Sequence, residues 1–416
     1  MKNDFNRNVL TLMTGTTIAQ AIPIAISPIL TRLYSPEDFG ILAIFVAITA
    51  ILGSIANARY ELAIVLPEKD EDAINLTALA IVIATSFTAF LCVVILFFKN
   101  QIIGLLNIDL HPFFLFLIPL VVLVMGIYNA LNYYNTRMKM YKNIASVSIY
   151  RSLTLSISQI LFGILKLGGV GLVVGQIISN FTAIAKLGKP IWKDKKIVST
   201  INKVEMKKVA KEYVRFPKYS IGGVFVNTFS LNINNFAVPV LFNSATLGFY
   251  SLVNRLLGTP TALIGSSISQ VYFQKASTEK NEFGNCEEVF KATLKKLIVI
   301  AIPLFIALYI VIDNLIVIIF GAEWAMLETI SKILMPLFFI RFISSTLSIT
   351  LTVFKREKEF LIINLLILLF FGISIAAFYI LDLTIESFFM LQMILLSVLY
   401  FSLIFRYLVI SKGERK

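Results

Sequence analysis

Twelve apolar runs, each long enough to cross a lipid bilayer, leave this chain little besides short polar turns. A hydrocarbon core takes about 20 apolar helical residues to span. The runs at roughly 9–33, 39–64, 74–98, 112–134, 144–166, 168–187, 219–242, 247–272, 294–320, 328–353, 359–381 and 385–409 each meet that need. Backbone groups in lipid must be satisfied within their own segment, so such runs predict helices. The expected fold class is all-α: a polytopic membrane protein of about twelve transmembrane helices. Hydrophobic residues make up 58% of the chain and charged residues 15%, against about 25% charged in soluble domains; the mean hydropathy is +0.85.

Lysine and arginine set the expected orientation. The N-terminus, the turn after Tyr134, the stretch from Lys186 to Lys218, the loop from Lys275 to Lys296, the Lys355-Arg356-Glu357-Lys358 turn and the C-terminus are basic. Phe242 to Gly248, Phe320 to Glu328 and Leu381 to Ile385 hold no Lys or Arg. The positive-inside rule then places both termini in the cytoplasm, for a protein of the cytoplasmic (inner) membrane. No short signal peptide with a small-residue cleavage site precedes the first turn. A net charge of +13 would also suit a nucleic-acid binder, but these charges lie between apolar runs, so no nucleic acid is expected.

The chain divides at its middle into an N-terminal six-helix bundle over 1–187, a basic cytoplasmic linker over 188–218 and a C-terminal six-helix bundle over 219–416. In the linker, Ile201, Val204, Val209, Tyr213 and Phe216 suggest an amphipathic helix on the membrane face; a solvated connector is the alternative. Leu33-Tyr34-Ser35-Pro36-Glu37-Asp38-Phe39-Gly40 lines up with Leu241-Phe242-Asn243-Ser244-Ala245-Thr246-Leu247-Gly248, half the chain length away. At the same offset Gln20 meets Thr228 and Ser27 meets Asn235. Six spans per half make the repeats parallel.

Polar residues inside the spans point to a cavity. Thr16, Gln20, Ser27 and Thr31 fall within about 60° of one another at roughly 100° per residue. Pro23 and Pro28 interrupt that helix and Arg32 closes it. Ser35-Pro36-Glu37-Asp38 then reads as a helix start: a cap, a fixed φ and two carboxylates at the positive end of the dipole. Span seven places Ser220, Gly223, Asn227 and Asn234 on one face, span eight Arg255, Thr259, Ser266 and Ser269, and span ten Arg341, Ser345, Ser348 and Thr352. An arginine facing lipid at bilayer depth costs at least about 2.5–3.5 kcal/mol, so it normally faces the bundle interior or water. Packing between helices explains small polar residues equally well, and Arg59 and Arg151 lie where snorkelling is available. Carboxylates at matching depth are scarce: Glu61 follows Arg59 at a helix end, and Asp313, Glu328 and Asp382 lie toward the outer ends. Several arginines with few acids describe an anion site, because guanidinium forks suit phosphate oxygens.

Catalytic and cofactor chemistry find no purchase here. Cys92 and Cys286 have no metal spacing. His111, beside Pro112, marks a helix entrance. No phosphate-binding loop and no nucleophile–base pair occurs, so neither an enzyme nor a cofactor is expected.

The stretch Thr31-Arg32-Leu33-Tyr34-Ser35-Pro36-Glu37-Asp38-Phe39-Gly40, then Arg59-Tyr60-Glu61-Leu62-Ala63-Ile64-Val65-Leu66-Pro67, resembles the start of a Wzx-type oligosaccharide flippase, a polysaccharide biosynthesis protein. Gly248-Phe249-Tyr250-Ser251-Leu252-Val253-Asn254-Arg255 and Phe320-Gly321-Ala322-Glu323-Trp324 fit the same pattern. The resemblance implies the multidrug/oligosaccharidyl-lipid/polysaccharide exporter superfamily, with two pseudo-symmetric six-helix bundles around a central cavity (MATE-like). It implies a polyprenyl-diphosphate-linked oligosaccharide as substrate, of the kind used for capsule or lipopolysaccharide, and membrane lipids as partners. A polysaccharide polymerase and glycosyltransferases are candidate protein partners. Twelve spans weigh against a peptidoglycan-precursor flippase, which usually has fourteen. Arg32, Arg59 and Arg255 stand in the family-like motifs; Arg151 and Arg341 join them by depth, and Gln20, Asn227 and Thr259 by their polar faces. Two rivals remain: a drug/cation antiporter of the same superfamily, which would want an acidic pocket, and a non-transporting scaffold, which needs no buried arginines.

Overall fold

The computed structural model describes residues 2–106 and 113–413; His111 lies outside them. Helix α1 (Lys2–Ala25) ends one residue before α2 (Ser27–Leu33). Neither Pro23 nor Pro28 has an N–H to give the ladder, and the break falls between them at Ile26. It splits the expected polar stripe. Ser27 and Thr31 are buried and return their hydroxyls to Pro23 O and Pro28 O, while Gln20 stays exposed.

Tyr34 is extended, and α3 (Pro36–Ile55) starts with the cap its sequence spells out. Ser35 Oγ accepts from the Asp38 amide at 3.3 Å, and Asp38 Oδ2 accepts from the Ser35 amide at 3.0 Å. This reciprocal pair satisfies two N–H groups the helix itself leaves over. After a 3₁₀ turn (Tyr60–Val65) come α4 (Asp70–Leu106), α5 (Phe113–Arg137), α6 (Tyr141–Ile164) and α7 (Gly168–Lys193). The linker holds two short helices, α8 (Lys195–Val198) and α9 (Lys203–Glu212), and α10 (Arg215–Leu241) follows.

These elements belong to a first compact unit, residues 1–248. Within it α6 packs on α1 and α7, α4 on α5, and α3 on α7 and α10. Phe45, Phe114, Val121, Val122 and Val173 fill one core, and Tyr60, Ile64, Leu76, Leu187 and Val209 another. Val209 comes from α9, so much of the linker's apolar face is spent on protein, not on lipid. Ile201, Tyr213 and Phe216 pack beside it, and only Val204 of the expected stripe stands out, at 76% exposure.

The second unit, 249–416, takes over within α11 (Ser244–Val253). A five-residue π-turn, Asn254–Gly258, leads into α12 (Thr259–Phe283). Helices α13 (Glu287–Phe320), α14 (Ala325–Leu347), α15 (Ile349–Val353), α16 (Glu357–Leu381) and α17 (Ile385–Ser411) complete the unit, with α14 packed against α12, α13 and α17. Trp324 is fully buried, edge-on to Phe249.

Among the described residues all regular structure is helical, and eleven stretches are long and apolar enough to cross a membrane. The twelfth expected span, 247–272, is helical as well, but the π-turn interrupts it. Asn254, Arg255, Thr259, Ser266, Ser267 and Gln270 make it too polar to qualify by composition. Outward faces elsewhere are apolar at helical spacing, as with Leu365, Leu369 and Ile373 on α16 and Phe90, Val93 and Phe97 on α4. Lipid is the solvent such faces require.

Candidate functional site

A polar cavity of about 240 Å³ opens within the first unit, where α1, α5, α6 and α7 meet. Helix α6 supplies the largest share of its wall, four of nine residues. Ser148, Arg151, Ser152 and Leu155 recur at three- and four-residue intervals and so share one face. Thr16, Ala19 and Gln20 do the same on α1, while α5 contributes Tyr128 and α7 contributes Gln176. The local chemistry explains which groups remain available. Thr16 and Ser148 turn their hydroxyl protons to carbonyls of their own helices, which leaves their oxygens able to accept. Gln20 and Gln176 carry amides that can donate and accept.

Arg151 is the one charge in this wall. It is half-buried, with its guanidinium carbon 5.0 Å from the centre of the Tyr128 ring. A ring face attracts a cation without neutralising it, and none of the nine lining residues is acidic. A cation on an aromatic ring, flanked by amides and hydroxyls, can bind an anion or a polyhydroxylated group.

The Arg59 corner is built differently. Ala58 and Arg59 have φ of 48° and 65°, left-handed values that cost non-glycine residues energy. Asn57 anchors the corner by donating to Ala80 O on α4 and Gly126 O on α5. Arg59 Nη1 meets Glu61 Oε1 at 3.2 Å, and Glu61 is only 3% exposed. Its Oε2 and Arg59 Nε are buried without hydrogen-bond partners. Burial pushes the Glu61 carboxyl above its ordinary pKa, and the Arg59 charge and a backbone hydrogen bond pull it partly back. Arg59 is thus tied to an acid, unlike Arg151. Nearby Arg137 clamps the loop before α4, reaching Asp70 at 2.9 Å together with Pro67 O and Glu68 O.

The structure brings Gln20 and Arg151 together in the cavity. Arg32 is exposed at the end of α2, and Asn227 is half-buried on α10. In the second unit Arg255 lies in the π-turn and Thr259 just after it, both half-buried. Arg341 is half-buried on α14 and makes no ion pair among the described residues; Phe338, one turn earlier, packs against Gly258 of the π-turn. Tyr128 and Gln176 escaped the sequence reading. Each is one of several polar residues on its helix, and only its position beside Arg151 and Gln20 in the cavity wall marks it.

A family profile described as "Polysaccharide biosynthesis protein" matches residues 29–329, well over half the chain. The chain belongs to the polysaccharide biosynthesis protein family. This family member shares its fold with solved transporters. It matches a structure described as the lipid II flippase MurJ, inward closed, with 16% identity and a TM-score of 0.66, over 97% of this chain and 86% of that one. An inward-facing MATE family multidrug resistance transporter of the MOP superfamily matches with 11% identity and a TM-score of 0.63, over 96% and 95%. The MATE transporter ClbM in complex with Rb⁺ matches with 14% identity and a TM-score of 0.58, over 98% and 95%. At these identities the likeness shows the fold alone. None of the curated proteins matches the chain. The expected all-helical, MATE-like membrane fold is therefore correct, as is the polysaccharide biosynthesis family.

Proposed function

We propose that this protein is a flippase that moves a polyprenyl-diphosphate-linked oligosaccharide repeat unit across the cytoplasmic membrane by alternating access. The observation that carries this reading is the cavity around Arg151, cationic and without an acid in its wall. A diphosphate leaving water meets a steep desolvation cost. A guanidinium fork offsets it with charge-assisted hydrogen bonds, and amides and hydroxyls suit sugar hydroxyls. The polyprenyl tail stays in lipid throughout. Arg32, Arg255 and Arg341, with Gln20, Asn227 and Thr259, are proposed as further substrate contacts, whereas Arg59 is held by Glu61 and is left out of that set. Alternating access needs helices that bend, and candidate bending points are the Ile26 break, flanked by Pro23 and Pro28, and the π-turn before Pro260. A drug/cation antiporter would want a carboxylate in the cavity, where the wall offers none.

The test is surface polysaccharide in a strain lacking the protein, complemented with variants and normalised to membrane-inserted protein. Arg151→Ala and Arg255→Ala are expected to lose export at near-normal protein levels. Full export from both well-folded variants would overturn the reading.

A further inference from the structure

The linker between α7 and α10 has two unlike sides. Its inner side is fastened to the first unit. Asn75 on α4 donates to Thr200 O at 3.1 Å and accepts from the Asn202 amide at 3.1 Å. Tyr60 donates its hydroxyl to Ala210 O at 2.9 Å, and Val209 is fully buried. The outer side is strongly basic, with seven lysines over residues 193–214 against the three acids Asp194, Glu205 and Glu212. Lys193, Lys195, Lys196, Lys203, Lys207 and Lys211 are all exposed, and none makes an ion pair among the described residues. Only Lys208 is paired, with Glu205 on the same helix. Between these lysines stand exposed apolar side chains, Trp192 at 61%, Val198 at 38%, Val204 at 76% and Val214 at 49%.

Charge alone would suit any acidic partner. Position and the apolar residues favour a lipid surface. The linker's two ends run directly into α7 and α10, both apolar enough to span, so residues 194–214 are held at a membrane boundary. Trp192 is at the end of a span, where an indole with one apolar and one polar side is most at home. Lysines interleaved with apolar side chains give phosphate contact and shallow burial at one interface. We propose that the outer face of this linker is a docking surface for anionic phospholipid headgroups of the adjoining leaflet, presented on a rigid strap fixed by Asn75, Tyr60 and Val209. The proposal does not depend on what the protein transports.

The chain's two tryptophans make the test direct, because Trp192 is exposed and Trp324 is fully buried. The full-length protein is reconstituted in phosphatidylcholine vesicles with a fixed share of lipid brominated on its acyl chains. The bromine is carried either by phosphatidylglycerol or by phosphatidylcholine. Quenching specific to Trp192 is the difference between the wild type and Trp192→Phe. Brominated phosphatidylglycerol is expected to quench it roughly threefold more strongly than brominated phosphatidylcholine at low salt. That preference should fade at about 0.5 M KCl, where screening is nearly complete. It should vanish when the six unpaired lysines are changed to glutamine. Equal quenching by the two lipids in the wild type would overturn the proposal and leave an acidic protein as the reader of this charge. A preference that survives high salt would overturn it too, and that arm needs no variant to fold.

Discussion

Gly40 and Gly248, half the chain length apart, each sit against the other's turn. A Cβ on Gly40 would lie 2.0 Å from the carbonyl oxygen of Ser244, and one on Gly248 would lie 1.8 Å from that of Pro36. The offset that maps Gly40 onto Gly248 also maps Pro36 onto Ser244. The contact is therefore reciprocal: each turn offers a helix-start carbonyl to the glycine four residues into the other, as surfaces exchanged by a two-fold axis do. The half-length similarity in the sequence has its structural counterpart in these two turns.

Alanine at either glycine would force backbone apart from backbone, and each variant should lose about 1–3 kcal/mol of stability. The double variant should cost less than the sum, because the first substitution already separates the turns. Thermal unfolding in detergent reads this out. Two small and additive losses would mean that the turns do not meet this closely.

Arg151 should be graded by chemistry. Arg151→Lys keeps the charge and loses the fork, so partial export is expected, while Arg151→Gln should abolish export. Tyr128→Leu removes the ring face and with it roughly 0.5–2 kcal/mol of cation positioning, giving an intermediate loss. Surface polysaccharide per inserted protein is the measurement. Indistinguishable Lys and Gln variants would show that charge at this position is irrelevant.

Glu61 should make stability depend on pH. Burial raises its pKa in the folded protein, above about 4.3 in an unfolded chain. Between those values the folded state keeps a proton that the unfolded state has released. Its contribution is therefore full below the unfolded pKa and is lost as pH rises through the folded one. Glu61→Gln should gain on the wild type in melting temperature as pH rises from about 4 to about 8. Parallel curves would show that Glu61 does not titrate there. The charged group acting on it is Arg59.

Orientation is open to labelling. With Cys92 and Cys286 replaced by serine, a cysteine at exposed Lys203 should react only when the cytoplasmic side is accessible. One at exposed Glu323 should react from outside. The opposite result would invert the protein in the membrane.

Chain-local physics was legible without the fold. A helix in lipid satisfies its own backbone, so apolar length alone announced the spans. A capping box closes within four residues, so Ser35 and Asp38 could be read in advance. The run 247–272 shows where that reading stops. Its helical character was legible, but the π-turn at Asn254–Gly258 and the continuation of α12 to Phe283 were not.

Side-chain partners belong to the tertiary structure. Ser27 and Thr31 share a helical face with Gln20 on paper, yet the Ile26 break turns them into the protein and leaves Gln20 in the cavity. In sequence Arg59 is set apart from Arg151 by the acid two residues on, Glu61. The left-handed turn at Ala58 and Arg59 folds the first onto Glu61, whereas the packing of α1, α5 and α7 around α6 surrounds the second with a ring, amides and hydroxyls. The sequence by itself determined the helices, their lengths and their caps, because those depend on interactions within a few residues. Which arginine keeps its charge for a ligand was decided by contacts between helices more than a hundred residues apart, as Thr16 and Gln20 are from Arg151.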